Sequence, residues 1–217
     1  MPVHIAKPYK IIIADDHSVV RAGILKAVSS AFTDAVVAEA CNAAEITRLL
    51  IESDWDLILL DISMPGRSGL DILNDIVKEY PHTKVMMFSM YPEDQFAIRA
   101  IRAGAAAYVT KDIHLSELVS IMDKILHGQR HITPAIAELL INQITDNGTK
   151  PSHETLSDRE YEVFKLIASG KSVSDIATEL SLSVKTISVY RANILRKMGL
   201  KNNAEIMHYA FKHSIVD

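Results

Sequence analysis

The feature that most constrains this chain is a series of five short apolar segments in its first part, four of which end on a residue that carries chemistry. Asp15 and Asp16 follow Ile11-Ile12-Ile13-Ala14, and Asp61 follows Leu57-Ile58-Leu59-Leu60. Ser89 follows Val85-Met86-Met87-Phe88, and Lys111 follows Tyr108-Val109-Thr110. Amphipathic stretches of helical period separate the segments, the alternation expected of βαβ units. The pattern predicts strands over 10–14, 35–40, 57–60, 84–88 and 106–110, and helices over 18–31, 43–52, 69–79, 94–103 and 114–127. Pro81 and Gly104 punctuate helix ends, while Pro65, Gly66 and Gly69 make the segment after Asp61 a loop. The fold class is therefore α/β, a doubly wound five-stranded parallel sheet. In such a sheet ligands bind beyond the carboxyl ends of the strands, so residues repeated at that place converge.

Composition sets the frame. A chain of 217 residues suits about two domains at ~100 to 200 residues each, and 48% hydrophobic content is enough for real cores. No apolar run approaches the ~18 residues of a membrane span, and Lys7, Pro8, Tyr9 and Lys10 do not resemble a signal-peptide apolar region. A cytoplasmic protein with no membrane partner is expected. Cys41 is the single cysteine, which excludes an intrachain disulfide and offers no metal spacing. Residues 1–150 carry 14 Lys+Arg against 19 Asp+Glu, and residues 151–217 carry 9 against 8. A chain this acidic does not coat nucleic acid indiscriminately. Yet Leu182 to Lys201 holds Lys185, Arg191, Arg196, Lys197 and Lys201 with no acidic residue, a local basic element.

The converging groups have a chemistry of their own. A carboxylate is a poor nucleophile toward a phosphoryl group unless negative charge is neutralised, and phosphoryl transfer depends on positioning and electrostatics. A small hard cation such as Mg²⁺ takes oxygen ligands from one or two carboxylates plus phosphate and water. Asp16 and Asp61 could supply these with help from Asp15, and Ser63 could add its backbone carbonyl. Each residue alone has an ordinary reading. An Asp at a strand end is often a cap, and a Ser after a strand or a half-exposed Tyr108 is common. His17, at a loop-to-helix entry, reads as a capping or surface group.

In this order, the acidic pair Asp15-Asp16, Asp61 in Asp61-Ile62-Ser63-Met64-Pro65-Gly66-Arg67-Ser68-Gly69, Ser89, Tyr108 and Lys111 resemble the flavodoxin-like receiver domain of bacterial two-component response regulators, over residues 9–128. The resemblance implies that Asp61 accepts the phosphoryl group, Lys111 pairs with the phosphate and Ser89 hydrogen-bonds a phosphoryl oxygen. Tyr108 would then follow Ser89 inward and change the surface of the fourth helix, fifth strand and fifth helix. Many receivers have a small residue after the Ser or Thr. Here it is Met90, a bulk expected to narrow access to the phosphoryl site and to bear on the rates of self-phosphorylation and dephosphorylation.

Past Gly128 the chain changes character, with a short amphipathic run from Pro134 to Ile144 and then a polar stretch, 145–152, that reads as a flexible tether. From Leu156 the periodicity predicts helices over 157–169, 173–180, 184–198 and 203–213. Ser157 with Glu160 forms a capping-box signature, Gly170 stops the first helix, and Ser183 caps the third. The short connection Ser181-Leu182-Ser183 suits a helix-turn-helix. Leu156, Ser157, Arg159, Glu160, Val163, Leu166, Gly170, Ser172, Ile176, Ala177, Leu180, Ser183, Thr186, Ile194, Lys197 and Leu200 resemble the LuxR-type output domain of the NarL/FixJ group. Ile187 and Tyr190 stand where valine and histidine are commoner.

On a helical wheel Ile187, Ile194 and Met198 form one apolar stripe, with Lys185, Ser188, Val189, Ala192 and Arg196 opposite. A recognition helix meets base edges with its N-terminal turns, which makes Ser188, Val189 and Ala192 the readers and Lys185 and Arg196 phosphate contacts. Thr186 and Tyr190 complete the expected DNA-binding set, Tyr190 through a polar tip that could reach a phosphate. The role of Arg191, nearer the apolar side, is open.

The resulting organisation is a receiver over 1–128, a linker with a short helix over 129–153 and a small all-α helix-turn-helix domain over 154–217. The two resemblances together imply a transcriptional regulator switched at Asp61 by a cognate sensor histidine kinase with Mg²⁺. Its partners would be double-stranded DNA with two half-sites, a second copy when active through the terminal helix, and RNA polymerase. No external enzymatic turnover is expected. Two rivals are a metal-dependent phosphohydrolase with a docking domain and a DNA-binding regulator independent of phosphorylation. The first lacks a second acid/base after Asp61, and the second is disfavoured because Asp16, Asp61 and Lys111 are all present.

Overall fold

In the computed structural model, which describes residues 8–65, 67–145, 152–213, 215 and 216, the chain forms two compact units. The first holds five parallel strands, β1 (Lys10–Ala14), β2 (Val36–Ala40), β3 (Leu57–Leu60), β4 (Lys84–Ser89) and β5 (Ala107–Thr110), in the order β2-β1-β3-β4-β5. After β2 the chain crosses back past β1 and adds β3, β4 and β5 on the other side, which makes the sheet doubly wound. Central strands β1 and β3 are buried almost throughout, which is why they read as unbroken apolar runs, while edge strand β2 exposes Val36 and Glu39.

Five helices alternate with the strands: α1 (Ser18–Ala31), α2 (Ala43–Glu52), α3 (Gly69–Glu79), α4 (Glu93–Arg102) and α5 (Leu115–Leu126). Because side chains alternate along a strand, Ile11, Ile13, Leu57, Leu59, Met86 and Phe88 share one face. They pack there against Ile24 and Val28 of α1 and Leu118, Ile121 and Ile125 of α5. The intervening Ile12, Ile58, Leu60 and Met87 are equally buried on the opposite face. Each such side chain contributes about 1.5–3 kcal/mol by leaving water.

After α5, Gly128 turns the chain with φ +82°. The His131 amide then donates to the Ala106 carbonyl at 3.0 Å, a parallel bridge along the edge of β5. Helix α6 (Pro134–Thr145) follows, with its proline at the first helical position, where a missing N–H costs nothing.

The second unit comprises a 3₁₀ turn (Ser152–Thr155), α7 (Asp158–Ala168), α8 (Val173–Glu179), α9 (Val184–Met198) and α10 (Asn203–Lys212). Side-chain caps set the helix starts. Ser157 with Glu160 forms the expected capping box, Ser172 with Asp175 forms a second one, and Ser183 and Asn202 accept from the third residue of α9 and α10. Between α8 and α9, Ser181 takes a left-handed φ of 52°, and the Leu182 amide donates back to Ala177 at 2.9 Å. Ile187 and Ile194 are fully buried and Met198 nearly so, which puts the expected apolar stripe of α9 in the core. Lys197 Nζ reaches Glu160 Oε2 at 2.5 Å, fastening α9 to the start of α7. Burial alone would raise the Glu160 pKa, but this bond and those from Ser157 hold it below the ordinary carboxylate value.

The observed elements agree with the sequence-predicted ones to within a residue or two at most ends. The polar tether read over 145–152 lies mainly outside the described residues. The second unit is already folded at His153, whose Nδ1 is 3.0 Å from the Tyr209 hydroxyl and whose ring stacks on Tyr161.

Candidate functional site

Sheet hydrogen bonding continues one residue past β1, β3 and β5 at the carboxyl rim. The Asp15 amide donates to Ala40, Asp61 to Ala14 and Lys111 to Ser89, at 3.1, 2.9 and 2.8 Å. These three side chains are thereby delivered to one place. Lys111 Nζ lies 2.6 Å from Asp15 Oδ2 and 2.9 Å from Asp61 Oδ2, and all three side chains are at most 5% exposed. Burial pushes the Asp61 carboxyl above the ordinary range, with Lys111 and the Ser63 amide opposing the shift. For Lys111 burial alone would lower the pKa, but Asp61 and Asp15 overcome it and hold the ammonium above its usual value.

Asp15, Asp16, His17 and Asp61 each offer a ligand atom, all within 4.8 Å of one another. Such a carboxylate-rich set, part buried and part open, suits a hard divalent cation in the manner of Mg²⁺. Asp16 is 31% exposed and supplies the open side. The Ser63 amide points its proton at Asp61.

Two residues tie the acidic pair in place in ways the sequence did not show. His17 precedes α1 but makes no side-chain cap. Its Nδ1 instead lies 2.7 Å from Asp16 Oδ1 and 3.2 Å from Asp15 Oδ1, which corrects the capping reading. Arg21 donates from Nη1 to the Asp15 carbonyl at 2.7 Å and from Nε to Glu39 Oε2 at 3.1 Å. Its place one turn after His17 on α1 was the available signal.

Ser89 and Tyr108 are both fully buried. The Ser89 hydroxyl accepts from the Tyr91 amide at 3.2 Å, and the Tyr108 hydroxyl donates to the Tyr91 carbonyl at 2.7 Å. Burial raises the Tyr108 pKa far above its ordinary value. Tyr108 is thus inside rather than half exposed, and the two switch candidates hold opposite ends of one peptide residue. Met90 is 76% exposed, so its side chain lies in solvent rather than packed against the buried carboxylates.

In the second unit Lys185, Ser188, Val189, Ala192 and Arg196 are exposed along α9, and Thr186 and Tyr190 are half-buried. The Thr186 hydroxyl is 2.8 Å from the Ser183 cap and the Ser188 hydroxyl donates back to Val184 at 2.9 Å. Arg196 Nη2 bonds Asn193 Oδ1 at 3.0 Å. Arg191, left open by the wheel, donates from Nε to Asn203 Oδ1 at 2.6 Å and ties α9 to the start of α10.

A lysine-bridged acidic rim on a doubly wound sheet, in one chain with a capped helix-turn-helix, defines a receiver carrying a DNA-binding output. Residues 11–123 match the response regulator receiver domain and residues 154–210 match the bacterial regulatory proteins of the luxR family. The chain belongs to the two-component response regulators with a LuxR-type DNA-binding domain, a family of transcriptional regulators rather than of enzymes. It is similar to the oxygen regulatory protein NreC of Staphylococcus carnosus, 33% identical over 96% of this chain and 99% of that one. A LuxR-family two-component response regulator from Aurantimonas sp. SI85-9A1 is 33% identical, covering 64% of this chain and 100% of that one at a TM-score of 0.58. The RcsB response regulator of Salmonella typhimurium, solved in a study of its DNA interaction, is 25% identical over 97% and 100% of the two chains, TM-score 0.57.

Proposed function

We propose that Asp61 is the phosphoacceptor of this regulator and that its phosphorylation by a cognate sensor histidine kinase controls DNA binding by residues 154–217. The observation that carries the reading is Lys111, held between Asp15 and Asp61. In this reading an Asp61 carboxylate oxygen attacks the phosphorus of the kinase's phosphohistidine, the P–N bond breaks and an acyl phosphate forms. Asp15, Asp16 and Asp61, with the Ser63 backbone carbonyl, would hold Mg²⁺, which supplies charge neutralisation for the incoming phosphoryl oxygens. Lys111 then exchanges one carboxylate for the phosphoryl group, and the Ser89 hydroxyl leaves the Tyr91 amide to donate to a phosphoryl oxygen. The Tyr108 ring, already inside with its hydroxyl on the Tyr91 carbonyl, borders the space that Ser89 leaves.

Receiver, linker and output domain take residues 1–128, 129–153 and 154–217 in this proposal, and the protein works in the cytoplasm, where kinase, DNA and RNA polymerase meet. Ser188, Val189 and Ala192 face the base edges, while Lys185 and Arg196, with the Tyr190 hydroxyl, face phosphates. Thr186 positions the helix start through Ser183 rather than reading a base. A dimer on two related half-sites fits the two-fold logic of such helices.

The test is binding to a selected oligonucleotide pool with and without Mg²⁺ and beryllofluoride, for the parent and for Asp61→Ala. Tighter, sequence-selective binding that needs both the acyl-phosphate mimic and Asp61 is expected. Equal affinity in every condition would remove Asp61 from control. On the selected site, Arg196→Ala is expected to weaken binding to all sequences alike. It should also flatten the plot of log affinity against log salt by about one unit, read from titrations at four salt concentrations. A loss confined to one base position would instead make Arg196 a reader.

A further inference from the structure

The switch residues do not end at Tyr91. Its ring packs on Phe96 of α4 with centroids 4.8 Å apart, and two residues along the chain Glu93 opens α4. The Glu93 carboxylate accepts the hydroxyl proton of Thr133 at 2.7 Å, a contact across 40 residues. Thr133 is the residue before α6, and the same hydroxyl oxygen accepts the Ile136 amide at 3.2 Å, one of the donors that a helix start leaves without an intrahelical partner. One oxygen therefore serves two helix starts, its proton given to α4 and its lone pair to α6. Glu93 and Thr133 face each other along a groove of about 320 Å³ that Tyr108, Thr110 and His131 also line. Ile136 in the first turn of α6 is fully buried, and beside that packing this hydrogen bond ties the start of α6 to the start of α4.

We propose that the Glu93–Thr133 bond is the coupling element that passes the state of the Ser89–Tyr91–Tyr108 cluster to α6, the helix that leads toward the output domain. The inference rests on the Asp61 reading for the signal, and its own content is the route. When Ser89 turns to a phosphoryl oxygen, the Tyr91 amide loses its acceptor while the Tyr91 carbonyl keeps the Tyr108 hydroxyl. The start of α4 then shifts, and with it the acceptor of the Thr133 proton. A charge-assisted bond of this type is sensitive to small displacement, because hydrogen bonds weaken steeply with angle and distance. Released from Glu93, the Thr133 hydroxyl also loses the partner that orients it as the cap of α6. Position 133 thus converts a loop movement into a change in the stability of the first turn of α6.

The experiment is hydrogen–deuterium exchange on the full-length chain, with and without Mg²⁺ and beryllofluoride, for the parent and for Glu93→Ala, Thr133→Val and Thr133→Ser. In the parent, beryllofluoride is expected to change exchange both at residues 89–93 and in the first turns of α6, the latter by about fivefold, the factor that one hydrogen bond is worth. In Glu93→Ala the response at 89–93 persists while that in α6 disappears. Thr133→Val behaves likewise with faster basal exchange in α6, and Thr133→Ser, which keeps the hydroxyl, restores the parent pattern. Tyr108→Phe, which removes the bond to Tyr91 without needing a phosphoryl mimic, should alter α6 exchange in the parent background and not in Glu93→Ala. An α6 response that survives both Glu93→Ala and Thr133→Val overturns the route and leaves the Asp61 reading intact. No response at residues 89–93 in the parent overturns the Asp61 reading and the coupling together.

Discussion

Asp61→Asn is expected to abolish every phosphoryl-dependent change in DNA binding and, in metal-free buffer at neutral pH, to make the first unit more stable. Both effects come from one carboxylate. An amide cannot form the acyl phosphate, so the chemical loss is complete. The gain in stability follows from Asp61 being buried at the rim, where its pKa is raised above the ordinary value despite Lys111. A group whose folded pKa exceeds its unfolded one contributes stability below the unfolded value, about 4, and loses it as pH rises through the folded value. The parent and the asparagine variant should therefore unfold alike near pH 4 and diverge as pH rises toward 7, with the variant the more stable. The remaining Asp15 keeps Lys111 paired, so the substitution strands no buried cation. Urea titrations from pH 4 to 8 in chelator measure the difference. Millimolar Mg²⁺ is expected to narrow it by stabilising the parent more than the variant, since a ligand of the folded state stabilises in proportion to its affinity. A variant less stable than the parent at pH 7 in chelator would mean that the pair with Lys111 outweighs desolvation.

The parts of this protein that could be read without coordinates are those fixed by local rules. A polar residue that interrupts an unbroken apolar run marks the end of a buried parallel strand, and that rule placed Asp15, Asp61, Ser89 and Lys111 at one rim. Ser157, Glu160 and Ser183 announced helix starts because capping needs only three residues of context. What escaped depends on approach between distant segments. Arg21 meets Glu39, and Thr133 meets Glu93, because the sheet order brings those positions together, and neither pair shares a periodic pattern. Tyrosine is often half exposed, and nothing local in the sequence marks Tyr108 otherwise, whereas its hydroxyl finds the Tyr91 carbonyl and so the ring can be fully buried. His17 reads as a capping or surface group, and it is exposed, with its ring on two carboxylates and no side-chain cap at the start of α1. Gly69 reads as a loop residue and as the first residue of a helix, and its position beside the Asp61 carbonyl is invisible to any local rule.

Gly69→Ala tests that position, and a loss of about 2–3 kcal/mol of stability is expected together with a large fall in the rate of phosphoryl acceptance. A Cβ at residue 69 would lie 2.0 Å from the Asp61 carbonyl oxygen, 2.8 Å from its carbonyl carbon and 2.9 Å from the Ile62 Cα. All three are backbone atoms at the end of β3, so no side chain can rotate away. The Gly69 amide donates to the Ile62 carbonyl at 2.7 Å, which draws α3 this close and turns the chain back under the acidic rim. Accommodating a methyl group requires either that this bond open or that the end of β3 shift. The second response displaces the Asp61 carboxylate from Lys111. Misplacing a reacting group by about 1 Å can cost on the order of a hundredfold in rate. Acyl-phosphate labelling of Asp61, followed by time-resolved mass measurement alongside urea unfolding, separates the outcomes. Slow labelling with reduced stability is the expected result. Normal labelling with reduced stability would show that α3 gives way and the rim does not. Parent-like behaviour in both would show that the start of α3 can move outward freely, against the close approach on which the position of Asp61 depends.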